Sequence, residues 1–154
     1  RGFDVEVLAY DKYKSGFGND FIKECEMSEI FEKADVVSFH IPQNEETIYL
    51  GNRSFFESFR NKIYVINLSR GKIIQTAALV DAIKNGKVLG ACLDVLEYES
   101  SSFENIFNDS NSADLDYLLH SDKVIFSPHV GGWTKESYFK LSNVLADKIL
   151  ATFA

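Results

Sequence analysis

The sequence predicts an α/β fold with an open, doubly wound parallel sheet. Three observations predict this class: apolar runs of strand length recur along the 154 residues, segments with helical periodicity alternate with them, and short polar turns separate the two. Near-continuous apolar strands are typical of parallel sheets, because helices bury such strands on both faces. We therefore expect roughly five parallel strands between two layers of helices.

The first part of the chain predicts the order strand, helix, strand. A buried strand is expected at residues 5–10, an apolar run that ends before the polar Asp11. Ser28 is a candidate N-cap for a short helix that continues through Ala34. Residues 36–39 form the next apolar run and predict the second strand.

The same alternation continues through the middle of the chain. Residues 53–59 predict a short helix. Thr76 is a candidate N-cap for a helix over residues 77–85, which Gly86 would end in the left-handed conformation. A run rich in β-branched residues predicts a further strand at residues 63–67, and apolar runs predict two more, at 88–93 and 124–126.

The last third of the chain contains one irregular region and one long helix. Residues 100–122 are rich in Ser, Asn and Asp but carry scattered apolar side chains, so we expect an ordered excursion with short helical turns rather than a flexible linker. Residues 134–153 predict a long amphipathic helix. Its apolar face would carry Tyr138, Leu141, Val144, Leu145 and Ile149.

Composition excludes several functional classes. The chain has 16 basic and 23 acidic residues, a net charge of −7, and its basic residues are scattered, which disfavours nucleic acid and anionic membranes as partners. No apolar run approaches the roughly 18 residues of a membrane span, and no signal peptide is evident, so we expect a soluble cytoplasmic protein. Cys25 and Cys92 lack metal-ligand spacing and are expected to be buried or inert. Because the chain begins at Arg1 without a methionine, it is interpreted as an excised or truncated domain.

Several chemically informative residues directly follow the predicted strands. In an open parallel sheet ligands bind beyond the carboxyl ends of the strands, so these residues would share one crevice. An Arg, a Glu and a His there make a catalytic constellation in outline. Asp11 stands where a carboxylate would bind the adenosine ribose and favour NAD over NADP, although a simple turn residue is the alternative. The set is Asp11, His40, Ile41, Pro42, Ser69, Arg70, Gly71, Asp94, Glu99, His129 and Gly131.

Five motifs occur together in one order along the chain. They are VLAYD at 7–11, ADVVSFHIP at 34–42, INLSRG at 66–71, GACLDV at 90–95 and SPHVGG at 127–132. On these motifs the whole chain resembles the nucleotide-binding domain of the D-isomer-specific 2-hydroxyacid dehydrogenases, which include D-lactate, glycerate and phosphoglycerate dehydrogenases. The resemblance implies that residues 1–154 are a partial NAD(P)-binding Rossmann domain. Its first strand, its glycine-rich loop and the separate substrate domain would lie outside this sequence.

The resemblance also implies catalytic roles. Arg70 would bind the substrate carboxylate and carbonyl oxygen, which suits a planar, permanently charged guanidinium. His129 would be the general acid and base, since imidazole titrates near neutral pH, and Glu99 would orient it and raise its pKa. The chain departs from the family where Ser100 follows Glu99 in place of the usual proline, so Glu97 is a rival for the orienting role.

The cofactor implied by the resemblance is NAD. Asp11 would bind the ribose, and Ile41 and Pro42 would flank the adenine. Asp94 would accept a hydrogen bond from the nicotinamide carboxamide, and Gly131 would let the backbone approach the nicotinamide. His40, Ser69, Arg70 and His129 are also implied as cofactor contacts.

The expected parent protein is an NAD-dependent D-2-hydroxyacid dehydrogenase that acts on a small 2-hydroxy or 2-keto acid as a homodimer. We expect the 154-residue chain alone to be inactive, because the missing loop would carry the amides that hold the pyrophosphate. The alternative is an NAD(H)-sensing scaffold of the corepressor type. Within the enzymes, the sequence does not separate phosphoglycerate dehydrogenase from hydroxypyruvate or glyoxylate reductase.

Overall fold

A computed structural model describes residues 2–98 and 113–153. The strands are β1 (Val7–Ala9), β2 (Ile22–Glu24), β3 (Val36–Phe39), β4 (Ile63–Asn67), β5 (Val88–Leu93) and β6 (Val124–Phe126). The helices are α1 (Met27–Lys33), α2 (Arg53–Ser58), α3 (Thr76–Lys84), α4 (Ala113–His120) and α5 (Lys135–Phe153), with a short 3₁₀ turn at Gly71–Ile73. Strands and helices alternate for most of this order, as the sequence predicts.

The strands form two parallel sheets. Four strands lie in the order β3-β4-β5-β6, and β1 pairs with β2 in a separate two-stranded sheet. The register between β4 and β5 shifts after Ile63, which faces Val88, so that Tyr64 faces Gly90. All strand pairings within the two sheets are parallel, which confirms the predicted α/β class. The carboxyl ends of β3–β6 therefore meet at one edge, where the site residues follow.

The hydrophobic core lies against one face of the four-stranded sheet. Its inward side chains alternate along each strand, and they pack on apolar residues of α2, α3 and α4. Three phenylalanines of α2 and its end, with Phe31 of α1, form a cluster of edge-to-face rings. The largest buried side chains include Phe56, Phe59, Ile63 and Leu79. Burying each of these side chains stabilises the fold by roughly 1.5–3 kcal/mol. This packing holds in place the strands whose ends carry the candidate site residues.

The opposite face of the same sheet is exposed in the part of the chain that the structure describes. Val36, Tyr64 and Ile125 are each more than half exposed, and α5 has no buried residue. The prediction of helices on both faces is therefore met on one face only among these residues. Cys92, predicted to be buried or inert, is exposed because strand alternation puts it on the open face. An apolar run alone does not tell which of its faces is covered.

Several local predictions are corrected by the structure. The first strand is shorter than 5–10 and is not buried, since it spans only Val7–Ala9 and Val7 is 41% exposed. The strand β2 was not predicted, because IKE is short and has only one apolar residue. Neither predicted cap holds: Ser28 lies inside α1, and Thr76 is the first residue of α3, after Gln75.

Other local predictions are confirmed. Gly86 ends α3 with φ +76°, as predicted. The helix expected at residues 53–59 is α2; its cap is Asn52, which was not predicted and which accepts from the Phe55 amide at 3.0 Å. The expected excursion at 100–122 contains α4, whose Leu115 and Leu118 are buried, so its later part is ordered as predicted. Residues 100–112 lie outside the described part of the chain.

Candidate active site

The loop after β4 carries Arg70 on a framework set by a buried asparagine. Asn67 is 1% exposed; its side-chain amide donates to the Arg70 carbonyl at 3.0 Å, and its Oδ1 accepts from the Ser69 amide at 3.1 Å. Both hydrogen bonds are local, so they shape the loop directly. The Arg70 guanidinium is exposed and donates to the Ser69 carbonyl at 2.7 Å. The backbone around Arg70 is therefore fixed, while its cationic group faces the solvent at the strand-end edge.

Ser69 joins the ends of β3 and β4. Its hydroxyl donates to the Phe39 carbonyl at 2.7 Å and accepts from the Ile41 amide at 3.1 Å. Ile41 is half-buried against the core, whereas His40 is exposed, with its Nε2 2.8 Å from the Ser38 hydroxyl. These contacts bring the predicted residues of two strand ends into one surface. Pro42, which follows, accepts from the Thr47 hydroxyl at 2.7 Å.

Asp94 is a buried carboxylate with three protein donors. It is 3% exposed; Oδ1 accepts from the Ser127 hydroxyl at 2.6 Å and the Val130 amide at 2.9 Å, and Oδ2 from the Gly131 amide at 2.8 Å. Burial acts to raise the pKa of Asp94. The three hydrogen bonds and the nearby His129 outweigh it and hold the pKa below its ordinary value. Asp94 therefore ties the end of β5 to the loop after β6.

His129 lies in the middle of the loop that Asp94 holds. Its φ is +55°, in the left-handed region that costs a non-glycine residue about 1 kcal/mol or more. Its amide donates to the Ser127 carbonyl at 3.0 Å, and the flanking Ser127 and Val130 both donate to Asp94. The surrounding hydrogen bonds thus compensate the strained conformation that presents His129.

Two glycines let neighbouring strand-end loops touch. A Cβ on Gly71, the residue after Arg70, would lie 1.8 Å from the Leu96 carbonyl oxygen. A Cβ on Gly131 would lie 2.6 Å from Leu68 Cδ2 and 2.9 Å from an Asp94 oxygen. Such distances exclude any side chain without movement of the neighbours. The Arg70 loop is therefore packed against both the Leu96 segment and the His129 loop.

Glu97 and Glu99, the two candidates for orienting His129, differ in what can be said of them. Glu97 accepts a hydrogen bond from the Thr76 amide at 2.7 Å, at the N-terminus of α3. The pKa of Tyr49 is raised, first by its hydrogen bond to Glu97 and second by burial. Glu97 is thus engaged by α3 and Tyr49. Glu99 lies outside the described residues.

Asp11 follows β1, in the smaller sheet. Its Oδ1 accepts from the amides of Tyr13 at 2.8 Å and Lys14 at 3.0 Å, so the carboxylate shapes its own turn. A cleft of about 670 Å³ opens beside it. It is lined by residues 10–15 of the β1 end and by Glu24, Cys25 and Glu26 of the β2 end. A cleft of this size is large enough for a nucleoside.

Some site residues were missed by the sequence analysis. Asn67 and Ser127 anchor the loops of Arg70 and His129, and neither was singled out. Asn67 could have been found, because a polar side chain ends an otherwise apolar strand and precedes Ser69 by two residues, the spacing of an Asx turn. The Ser127 contact has no such local signal, since its partner is 33 residues away.

Neither a metal centre nor a membrane span is found within the described ranges. No cluster of three or more His, Cys, Asp or Glu side chains there could hold a metal ion. No helix there combines the length and apolarity needed to cross a bilayer.

The chain is similar to known proteins in both sequence and structure. The family model for the D-isomer specific 2-hydroxyacid dehydrogenase NAD-binding domain matches residues 1–131. The D-3-phosphoglycerate dehydrogenase of Archaeoglobus fulgidus is 33% identical over 152 residues, which is 97% of this chain and 27% of that protein. The structure of a D-2-hydroxyisocaproate dehydrogenase superposes with a TM-score of 0.80 at 28% identity, over 94% of this chain and 46% of that chain. D-lactate dehydrogenase from Lactobacillus jensenii with NAD⁺ gives 0.78 at 30% identity, over 94% and 44%.

These matches agree with the fold and show how much of each related protein the chain covers. The likeness confirms the Rossmann-like dehydrogenase fold and NAD as the cofactor of this domain. The chain spans 27% of its curated relative and less than half of the similar structures.

Proposed function

This chain belongs to the NAD-binding domain family of the D-isomer specific 2-hydroxyacid dehydrogenases, and we propose that it supplies the NAD site and the acid–base chemistry of a longer oxidoreductase. That protein interconverts a D-2-hydroxy acid and its 2-keto acid. Its substrate domain is a separate part of the polypeptide. Residues 1–154 are a partial Rossmann domain. The parent protein is a cytoplasmic homodimer. The observation that carries the proposal is the joint anchoring of the Arg70 and His129 loops at one sheet edge.

Arg70 binds the substrate carboxylate. Its backbone is held by Asn67, and its exposed guanidinium donates only a single hydrogen bond in the described structure, to a neighbouring carbonyl. A planar fork with five N–H donors can exchange that contact for a bidentate pair with a carboxylate. Lysine offers only a point charge, so it should replace Arg70 poorly.

His129 moves the proton. In reduction its imidazolium gives a proton to the carbonyl oxygen of the keto acid as that oxygen becomes a hydroxyl, and in oxidation the neutral ring takes the proton back. When bound, the nicotinamide supplies or accepts the hydride at C2. Glu99 orients the imidazole and favours its charged form, because an adjacent carboxylate stabilises the cation. The engagement of Glu97 by α3 supports Glu99 over Glu97 for this role.

The residues present fit a dinucleotide. Asp11 binds the adenosine ribose in the cleft beside β1, through acceptor positions that its turn leaves free. Ile41 and Pro42 flank the adenine, and His40 and Ser69 lie along the same edge. Asp94 accepts from the nicotinamide carboxamide through the one of its roughly four lone pairs that Ser127, Val130 and Gly131 do not use. Gly131 admits the nicotinamide end.

The test is steady-state kinetics of the longer protein that carries this domain. His129→Gln should lower kcat by about 10²–10⁴-fold, the usual contribution of a general acid or base. Arg70→Lys should raise KM and lower kcat/KM together. The matched control is His120→Gln, an exposed histidine on α4, which should retain normal turnover.

Two outcomes would contradict the proposal. Normal turnover by His129→Gln would remove the assigned acid and base. Absence of turnover with every D-2-hydroxy acid, together with an NADH-dependent change in oligomeric state, would favour the sensing scaffold. The 154-residue chain alone should bind NADH weakly without turnover.

A further inference from the structure

A lysine beside Asp11 is held in an ion pair by a loop from the other sheet. Lys12 Nζ lies 2.9 Å from Glu46 Oε2, and the Tyr13 hydroxyl donates to the same carboxylate oxygen. The two donors hold the pKa of Glu46 below its ordinary value, Tyr13 first and Lys12 second. The cluster therefore links the loop after β1 to the loop after β3, across 34 residues of sequence.

Both partners of this pair stand on ordered turns. The Asp11 carboxylate fixes the backbone of residues 12–14, as described above. Asn44 Oδ1 accepts from the amides of Glu46 at 3.0 Å and Thr47 at 3.1 Å, which fixes the other loop. The side chains of Lys12 and Glu46 are 57% and 52% exposed, so the pair itself is worth little to folding. The position of the pair matters more, because the pair reduces the effect of the Lys12 charge in the cleft.

The charge beside the ribose site decides between the two nicotinamide dinucleotides. NADP differs from NAD by a 2′-phosphate, and dehydrogenases that accept it place a cation next to the ribose. Lys12 and Lys14 are the cations that line the cleft, together with the carboxylates Asp11, Glu24 and Glu26. Glu46 is not among the residues that line the cleft, but its carboxylate pairs with Lys12. As long as that pair holds, Lys12 contributes little attraction to a 2′-phosphate.

We propose that Glu46 is a specificity-determining residue, which favours NAD over NADP by holding Lys12 away from the 2′ position of the ribose. Asp11 repels a 2′-phosphate directly, and Glu46 withholds the adjacent cation that could compensate the repulsion. The inference rests on the proposed assignment of the cleft beside Asp11 to the adenosine end of the cofactor. It concerns cofactor selection and leaves the substrate and the acid–base chemistry unchanged.

The test measures binding of two half-cofactors, 5′-ADP and 2′,5′-ADP, to the longer protein that carries this domain, by isothermal titration calorimetry at low salt. The readout is the ratio of the two affinities, which is independent of turnover. Glu46→Gln removes the ion pair with minimal change of shape and should shift this ratio towards 2′,5′-ADP by about three- to fivefold, the upper part of the range for a single exposed ion pair. Added salt should reduce the shift, because the gained contact is exposed.

Two further variants separate the specific pair from general charge. Glu45→Gln removes the same charge from the adjacent, exposed position and should leave the ratio within about twofold of the wild type. The double variant Lys12→Met, Glu46→Gln should lose the gain, because the released cation is gone. A shift that is equal in Glu45→Gln and Glu46→Gln, or that survives Lys12→Met, overturns the inference.

The remaining outcomes distinguish this inference from the proposed function. If the wild type binds 5′-ADP but Glu46→Gln leaves the ratio unchanged, the role of Glu46 is wrong and the cofactor site stands. If the wild type binds neither nucleotide, the assignment of the cleft is wrong and the inference falls with it.

Discussion

The strongest single prediction concerns the buried carboxylate of Asp94. Asp94→Asn keeps the size of the side chain but replaces one acceptor oxygen with an NH₂ group. With the amide oxygen at the Oδ1 position, the donors Ser127 and Val130 keep a partner. The NH₂ group then faces the Gly131 amide, which is itself a donor, so that hydrogen bond is lost. The opposite rotamer would abandon two donors in place of one.

The expected magnitude follows from these three hydrogen bonds. Losing one bond to a charged acceptor costs about 1.5–3 kcal/mol, and turning the other two into neutral bonds costs about 0.5–1 kcal/mol each. Ser127 and Gly131 are exposed, so water recovers part of this loss. We therefore expect Asp94→Asn to lower the free energy of unfolding by about 2–4 kcal/mol.

The assay combines urea unfolding with amide hydrogen exchange. The midpoint should fall while the slope stays constant, and exchange at Val130 and Gly131 should accelerate by about 30-fold or more, since 1.4 kcal/mol corresponds to a factor of ten. Asp81→Asn is the control, because Asp81 is 51% exposed in its pair with Arg53 and should change stability by less than about 1 kcal/mol. An unchanged midpoint and unchanged exchange in Asp94→Asn would refute the anchoring role.

The remaining predictions concern the pH dependence of stability, the packing around Gly71 and the titration of Tyr49. Because the pKa of Asp94 is lower in the folded than in the unfolded protein, its ionised form stabilises the fold above the unfolded pKa of about 3.9. This stabilisation should disappear as the pH falls from there through the folded pKa. The urea midpoints of the wild type and Asp94→Asn should therefore converge over that pH range. Gly71→Ala should cost about 3 kcal/mol or more, because its Cβ would meet the Leu96 carbonyl at 1.8 Å, whereas Gly132→Ala, with nothing within 4 Å, should unfold like the wild type in the same assay. Glu97→Gln should bring the raised pKa of Tyr49 down towards its ordinary value in a phenolate absorbance titration; an unmoved titration would mean that Glu97 does not contact Tyr49.

The sequence by itself determines where most of the elements lie along the chain and which residues are candidates for the chemistry. Apolar runs of strand length mark β3, β4, β5 and β6 correctly, because burial in a parallel sheet needs continuous apolar sequence. Since parallel strands bring their carboxyl ends to one edge, the sequence also predicts that Arg70 and His129 share one crevice. The short, polar β2 was beyond this reasoning, because three residues of which two are charged carry no periodic signal.

Tertiary structure alone decides which distant groups become partners. Asp94 reaches donors 33 to 37 residues away, Glu97 reaches α3 21 residues upstream, and Lys12 reaches Glu46 across two sheets. It also decides that one face of the sheet is covered and that Cys92 faces outward. Sequence periodicity reports the spacing of buried positions within an element, whereas these contacts depend on how separate elements pack, which no local pattern contains.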